Sequence, residues 1–125
     1  KNDIFFDLID LKTIKPLELG LVKKSLTKTR KLLILDSISH PICSVGSEIL
    51  SQVLRQNKIK FVKPPVLLTL PDVATPTSTY YTKQYYISKK DILKKVKFLT
   101  GKKFKIEFNE SIPHDVPDSS FKGPF

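Results

Sequence analysis

The sequence predicts an α/β domain with a mainly parallel sheet, and three observations carry that prediction. Short greasy runs at residues 31–35 and 66–70 read as buried strands. Around them, apolar residues recur at helical spacing opposite lysine-rich faces. The elements follow in the order strand, helix, strand, helix, strand, loop, helix, which calls for parallel strands joined by right-handed crossovers.

Residues 4–11 form an apolar run broken by Asp7 and Asp10, and we expect a mostly buried first strand there. Pro16 suits the first turn of a helix, where its missing N–H is no loss. Leu17, Leu21, Val22 and Leu26 then make one stripe, with Lys23, Lys24 and Lys28 opposite it or near its C-terminal end. A Ser-rich loop spans residues 36–45, and Gly46-Ser47-Glu48 opens a second helix with Ile49, Leu50, Val53 and Leu54 inward. Pro64-Pro65 leads into the strand at 66–70, and Pro71 and Pro76 bracket another loop. Ser88 and Asp91 have the spacing of a capping box. The helix they open carries Ile92, Leu93, Val96 and Leu99 inward and stops at Gly101. After Lys102, Phe104, Ile106 and Phe108 alternate with Lys105 and Glu107 as in a two-faced strand, and residues 109–125 are polar and proline-rich. The organisation expected is a domain at 1–101 with a C-terminal extension at 102–125.

A core of 40% apolar residues in 125 is enough for one domain. No run approaches the roughly 18–20 apolar residues of a membrane helix. Cys43 is the only cysteine, so the chain alone builds neither an internal disulfide nor a cysteine zinc site, and a buried or half-buried inert thiol is expected. The net charge of +10 comes mostly from lysine, with Arg30 and Arg55 the only arginines. That bias fits a solvated surface better than bidentate reading of nucleic acid. No Gly-rich phosphate loop is present, and His40 and His114 lie apart from any acid at metal-ligand spacing. Gly46-Ser47 lacks the second glycine of a nucleophile elbow. Tyr80, Tyr81, Tyr85 and Tyr86 read as an aromatic cluster fastening a loop to the core. In a parallel sheet, loops at 12–15, 36–45 and 71–79 gather at the strands' carboxyl edge, where any site is sought first.

Leu8-Ile-Asp-Leu-Lys-Thr-Ile-Lys-Pro-Leu-Glu18, Ser25-Leu-Thr-Lys-Thr-Arg-Lys-Leu-Leu-Ile-Leu35, Val45-Gly-Ser-Glu-Ile49 and Asp72-Val-Ala-Thr-Pro76 together resemble the transketolase C-terminal domain family. The likeness, over roughly residues 4–100, is greatest to beta subunits of thiamine-dependent 2-oxoacid dehydrogenases of the pyruvate type. It implies a three-layer sandwich, a mainly parallel sheet with helices on both faces, here lacking the family's first strand and helix. On that ground the chain is expected to be a fragment of a longer beta subunit. The resemblance further implies a beta-subunit homodimer joined by alpha subunits, with thiamine diphosphate and magnesium in the full complex but none on this piece. Acyl transfer would run to a dihydrolipoyl acyltransferase, in a mitochondrial matrix, a plastid or a bacterial cytoplasm. It assigns no catalytic, cofactor or metal residue here, and it places partner docking at Lys63, Pro64 and Asp72.

The sequence departs from the family at three places. Cys43-Ser44 stands where a glycine pair, or alanine and glycine, is usual; Lys63 stands where the pyruvate type often has an acid; and residues follow the last helix for about two dozen positions. Alternatives to the pyruvate type are a branched-chain 2-oxoacid dehydrogenase beta subunit and the terminal domain of 1-deoxyxylulose-5-phosphate synthase. From another class comes a basic nucleic-acid-binding module, suggested by the charge.

Overall fold

The computed structural model describes residues 4–55, 59–102 and 104. Its elements run α1 (Gly20–Thr29), β1 (Leu33–Asp36), α2 (Val45–Arg55), β2 (Val66–Thr69), α3 (Thr79–Tyr85) and α4 (Lys89–Thr100). β1 and β2 pair in parallel, Leu33 opposite Val66, Ile34 opposite Leu67, Leu35 opposite Leu68 and Asp36 opposite Thr69. A parallel pair needs a crossover between its strands, and α2 supplies it, packing on both. The α/β class read from the sequence is therefore what the described residues form.

The core gathers on one face of this pair. Leu19, Val22 and Leu26 from α1 and its N-cap, Ile34 of β1, and Ile49 and Val53 of α2 form one buried cluster, with Leu67 at its margin. Because strand side chains alternate, Leu33, Leu35, Val66 and Leu68 belong to the opposite face. Leu70, Tyr85, Leu99 and Phe104 are buried outside that cluster.

Gly46 shows why α2 sits so near the strands. A Cβ added there would lie 2.6 Å from Leu67 Cδ1 and 3.3 Å from both Ile34 Cγ2 and Asp36 Cβ. Only a residue without a side chain lets the first turn of α2 close on the sheet. The helix starts at Val45, one residue before the Gly46 expected to open it, and Ser44 caps it: its Oγ accepts from Ser47 N at 3.0 Å, and the Ser47 hydroxyl donates to Ser44 O at 2.7 Å. α4 carries the full capping box, Asp91 N donating to Ser88 Oγ at 3.2 Å and Ser88 N to Asp91 Oδ2 at 3.1 Å. Gly101, at φ 69°, ends it in the left-handed conformation.

Four sequence expectations need correction. Residues 4–11 form no strand: no described strand lies beside them to complete a ladder, and Phe5 and Leu8 are 94% and 88% exposed. Only Ile9 and Leu11 of that run pack on the core. α1 begins at Gly20 rather than at Pro16, with Leu19 as N-cap; Val22 and Leu26 face inward, while Leu21 is 69% exposed. Leu54 likewise turns half outward from α2. Both leucines fall off a stripe that a single sheet face covers only in part. The tyrosine segment is not a plain loop but the seven-residue α3, which buries Tyr85 and leaves Tyr80 and Tyr81 exposed. The expected strand at Phe104, Ile106 and Phe108 lies almost wholly outside the described residues.

The contrast between two glycines gives a direct check. Gly46→Val should cost about 2 kcal/mol or more, since its methyls must displace Ile34 and Leu67 in a packed core. Gly20→Ala, with nothing within 4 Å of the new Cβ, should be neutral or stabilising by about 0.5 kcal/mol, through a less flexible unfolded chain. Urea unfolding midpoints of the two variants measure both.

Candidate partner-docking edge

The carboxyl ends of β1 and β2 point the same way, so the loops at 37–44 and 70–78 meet at one edge. Leu70 N donates to Ser39 O at 3.1 Å and joins them through the backbone. Asp36, the last residue of β1, organises the first loop: its carboxylate accepts from Ser39 N at 3.1 Å, from Gly46 N at 3.2 Å and, at 3.4 Å, from Ile38 N. Partial burial pushes the Asp36 carboxyl up, but the bonds from Gly46, Ser39 and Ile38 outweigh that push and hold it below its ordinary value.

From this loop His40 reaches across to the second. Its Nε2 is 3.1 Å from the Tyr85 hydroxyl, and its Nδ1 is 3.6 Å from Asp72 Oδ1. The same Tyr85 hydroxyl lies 3.1 Å from Thr75 Oγ1. Both hydrogen-bonding capacities of a buried phenol are thus used by its neighbours, one from each loop. The group is a clamp in this arrangement, not a free nucleophile. Beside it opens an apolar pocket of about 270 Å³, walled by Pro71, Val73, Ala74, Pro76, Tyr81 and Tyr85. Such a surface can take an apolar side chain of a partner; it presents little polar chemistry.

Of the sequence-predicted docking residues, Asp72 belongs to this edge and is exposed. Lys63 and Pro64 do not. They precede β2 while Asp72 follows it, and β2 alone, from Val66 to Thr69, separates the two ends by about 10 Å. Lys63 instead sets its ammonium 5.8 Å from the centre of the Phe98 ring on α4. The structure therefore brings Lys63 and Pro64 together but not with Asp72. Cys43, expected to be buried or half-buried, is exposed, at φ 56°. A left-handed residue favours glycine, and here the position is taken by a cysteine. His114 lies outside the described residues.

Sequence reading missed the contacts of His40, because Asp72 and Tyr85 are 32 and 45 positions further on. The one available signal was the shared edge of the two loops. Among the described residues, no three His, Cys, Asp or Glu side chains are placed to hold a metal ion, and no helix is long and apolar enough to cross a membrane.

Two outcomes are expected from this geometry. Tyr85→Phe removes the hydroxyl bridging His40 and Thr75 and should cost about 1 kcal/mol of stability. Asp36 should make stability pH-dependent: a carboxylate held low in the fold contributes above its unfolded value, about 3.9, and loses that contribution as pH falls through the lower folded one. Unfolding midpoints taken from about pH 5 down to about pH 2 should fall less steeply in Asp36→Asn than in the parent chain.

The chain matches the family described as "Transketolase, C-terminal domain" over residues 1–92. It is 32% identical over 92 residues to the pyruvate dehydrogenase E1 component subunit beta of Gracilaria tenuistipitata var. liui, covering 73% of this chain and 28% of that protein. It is 34% identical over 77 residues to the mitochondrial pyruvate dehydrogenase E1 component subunit beta of Ascaris suum, and 31% identical over 77 residues to the mitochondrial one of Saccharomyces cerevisiae; each match covers 61% of this chain and 21% of the relative. The chain thus spans between a fifth and a third of the length of these curated relatives. No solved structure matches it. With a family match running through α1, the β1–α2–β2 unit and α3 into the start of α4, the chain belongs to the transketolase C-terminal domain family.

Proposed function

We propose that the chain is the assembly and partner-docking domain of a pyruvate dehydrogenase (acetyl-transferring) beta subunit, within a complex that oxidatively decarboxylates pyruvate to acetyl-CoA. The observation that carries this reading is the shared name of its three relatives, matched across 61% to 73% of the chain. In this role the chain contributes surface, and the chemistry belongs to thiamine diphosphate and magnesium held elsewhere in the complex. Among the described residues, no three His, Cys, Asp or Glu side chains are placed to hold a metal ion.

On this reading the partners are a second beta subunit, the alpha subunit and a dihydrolipoyl acyltransferase. The carboxyl edge with Asp72 and the Lys63–Pro64 corner are two separate places where they would meet the chain. Lys63 gives its corner the charge opposite to the acid often found there in the pyruvate type, so any contact at that corner selects an acidic or neutral partner group. The names of the Ascaris and Saccharomyces relatives favour a mitochondrial setting.

A domain exchange tests the proposal. The matching segment of the Saccharomyces cerevisiae beta subunit is replaced by this chain, and the chimera is co-expressed with its alpha subunit. We expect a heterotetramer by sedimentation and pyruvate-dependent activity above background. A chimera that folds by circular dichroism yet stays free of the alpha subunit contradicts the reading. Assembly only when the exchange is made in a branched-chain dehydrogenase beta subunit would assign the chain to that enzyme instead.

A further inference from the structure

Charge is sorted between the two ends of the strand pair. Residues 19–35 hold five lysines and arginines and residues 49–71 hold four, and neither stretch contains an acid. The topology then carries cations from both stretches to one place. α1 leads into β1, and α2 runs back from the carboxyl edge toward the start of β2, so the C-terminal ends of both helices lie at the amino end of the strands. That end receives Lys28 from the last turn of α1 and Arg55 from the last turn of α2. Two hydrogen bonds join the acid-free stretches there: Arg30 Nε donates to Lys60 O at 2.7 Å, and Val62 N donates to Arg30 O at 3.0 Å. Lys24, one turn before Lys28, continues the basic surface along α1.

Lys24, Lys28, Arg55 and Lys60 are exposed, and among the described residues none of them pairs with a carboxylate. Asp7 does reach α1, but the Ser25 hydroxyl holds it at 2.7 Å. Asp36 and Asp72 belong to the opposite, carboxyl edge. Like charges gathered in this way repel one another, and the negative ends of two helix dipoles offset only part of that repulsion. Carboxylates supplied from outside offset the rest.

The residue types narrow the ligand. Three of the four free cations are lysines, whose mobile ammonium pairs with carboxylates in no preset geometry, and the Nε of neighbouring Arg30 is already spent on Lys60 O. Single-stranded nucleic acid also needs aromatic faces for its bases. Phe61 is half-buried at this end, while the exposed Tyr80 and Tyr81 stand on α3, which follows β2 at the other. Lys63 is not counted in the surface, because its ammonium sits 5.8 Å from the Phe98 ring centre.

We propose that the amino end of the strand pair, with Lys24, Lys28, Arg55 and Lys60 as its free cations, is a docking surface for an acidic segment of another polypeptide, one carrying several Asp or Glu in a short run. The surface lies at the end of the strands opposite the apolar pocket. It rests on charge and topology and is independent of the dehydrogenase reading.

The test measures binding of fluorescent decaglutamate to the intact 125-residue chain by anisotropy, at about 0.05 M salt, where screening is modest. Two triple variants of equal net charge are compared with the parent. Lys24→Gln, Lys28→Gln and Lys60→Gln combined should weaken binding about tenfold, the worth of three exposed ion pairs. Lys83→Gln, Lys89→Gln and Lys95→Gln combined, also at exposed positions, should leave the affinity within about twofold of the parent. On the parent chain itself, decaglutamate should protect Lys24, Lys28 and Lys60 from acetylation more than Lys83, Lys89 and Lys95, which needs no variant to fold. Equal weakening by the two triple variants, uniform protection, or no binding at this salt would overturn the proposal. So would decathymidylate binding more tightly than decaglutamate with the same loss in the first variant, since the surface would then be one for nucleic acid.

Discussion

The approach of α2 to the strand pair is the constraint on which the rest depends, and two residues set it. Gly46 allows the distance, because any side chain there would run into Leu67, Ile34 and Asp36. Asp36 sets the direction, accepting the Gly46 N–H at 3.2 Å while its other oxygen gathers Ser39 and Ile38. One carboxylate thus ends a strand, shapes the loop after it and receives a backbone donor from the first turn of a helix, where negative charge is favoured. With that contact made, Ile49 and Val53 reach the cluster around Ile34, and β2 can pair alongside.

This contact confers position rather than reactivity. The loop shaped by Asp36 carries His40 to Tyr85 and Asp72, and the loops after both strands become one clamped edge beside an apolar pocket. The titratable groups at this edge hold structure: a phenol between two partners, a carboxylate saturated by backbone donors, a histidine bridging loops. These groups make contacts that tie the two loops to each other and to α3.

Legibility in the sequence followed the range of the interaction. The Ser88–Asp91 capping box was readable because both partners lie within one turn, and Gly101 because a left-handed stop is a property of one residue. β1 and β2 were readable as greasy runs because both are flanked by the core. Residues 4–11 had the same composition but no described neighbour to pair with, and composition cannot report a missing ladder partner. Leu21 and Leu54 matched a helical period that the covered face was too narrow to honour. α3 has a Ser N-cap that makes no side-chain bond and only seven residues, which left it little local signal. At the edge, the clamp through His40 was hidden by sequence separation, and the family resemblance grouped Asp72 with Lys63 where β2 keeps them apart.

Amide hydrogen exchange at Gly46 tests the central contact most directly. If Asp36 and the close approach of α2 fix the unit, the Gly46 N–H should exchange as slowly as the ladder amides of β1 and β2, through the same global opening. Exchange at Gly46 as fast as that of an amide in the exposed loop at 41–43, with the ladder still protected, would mean that the helix start opens alone and that the fold does not depend on this contact.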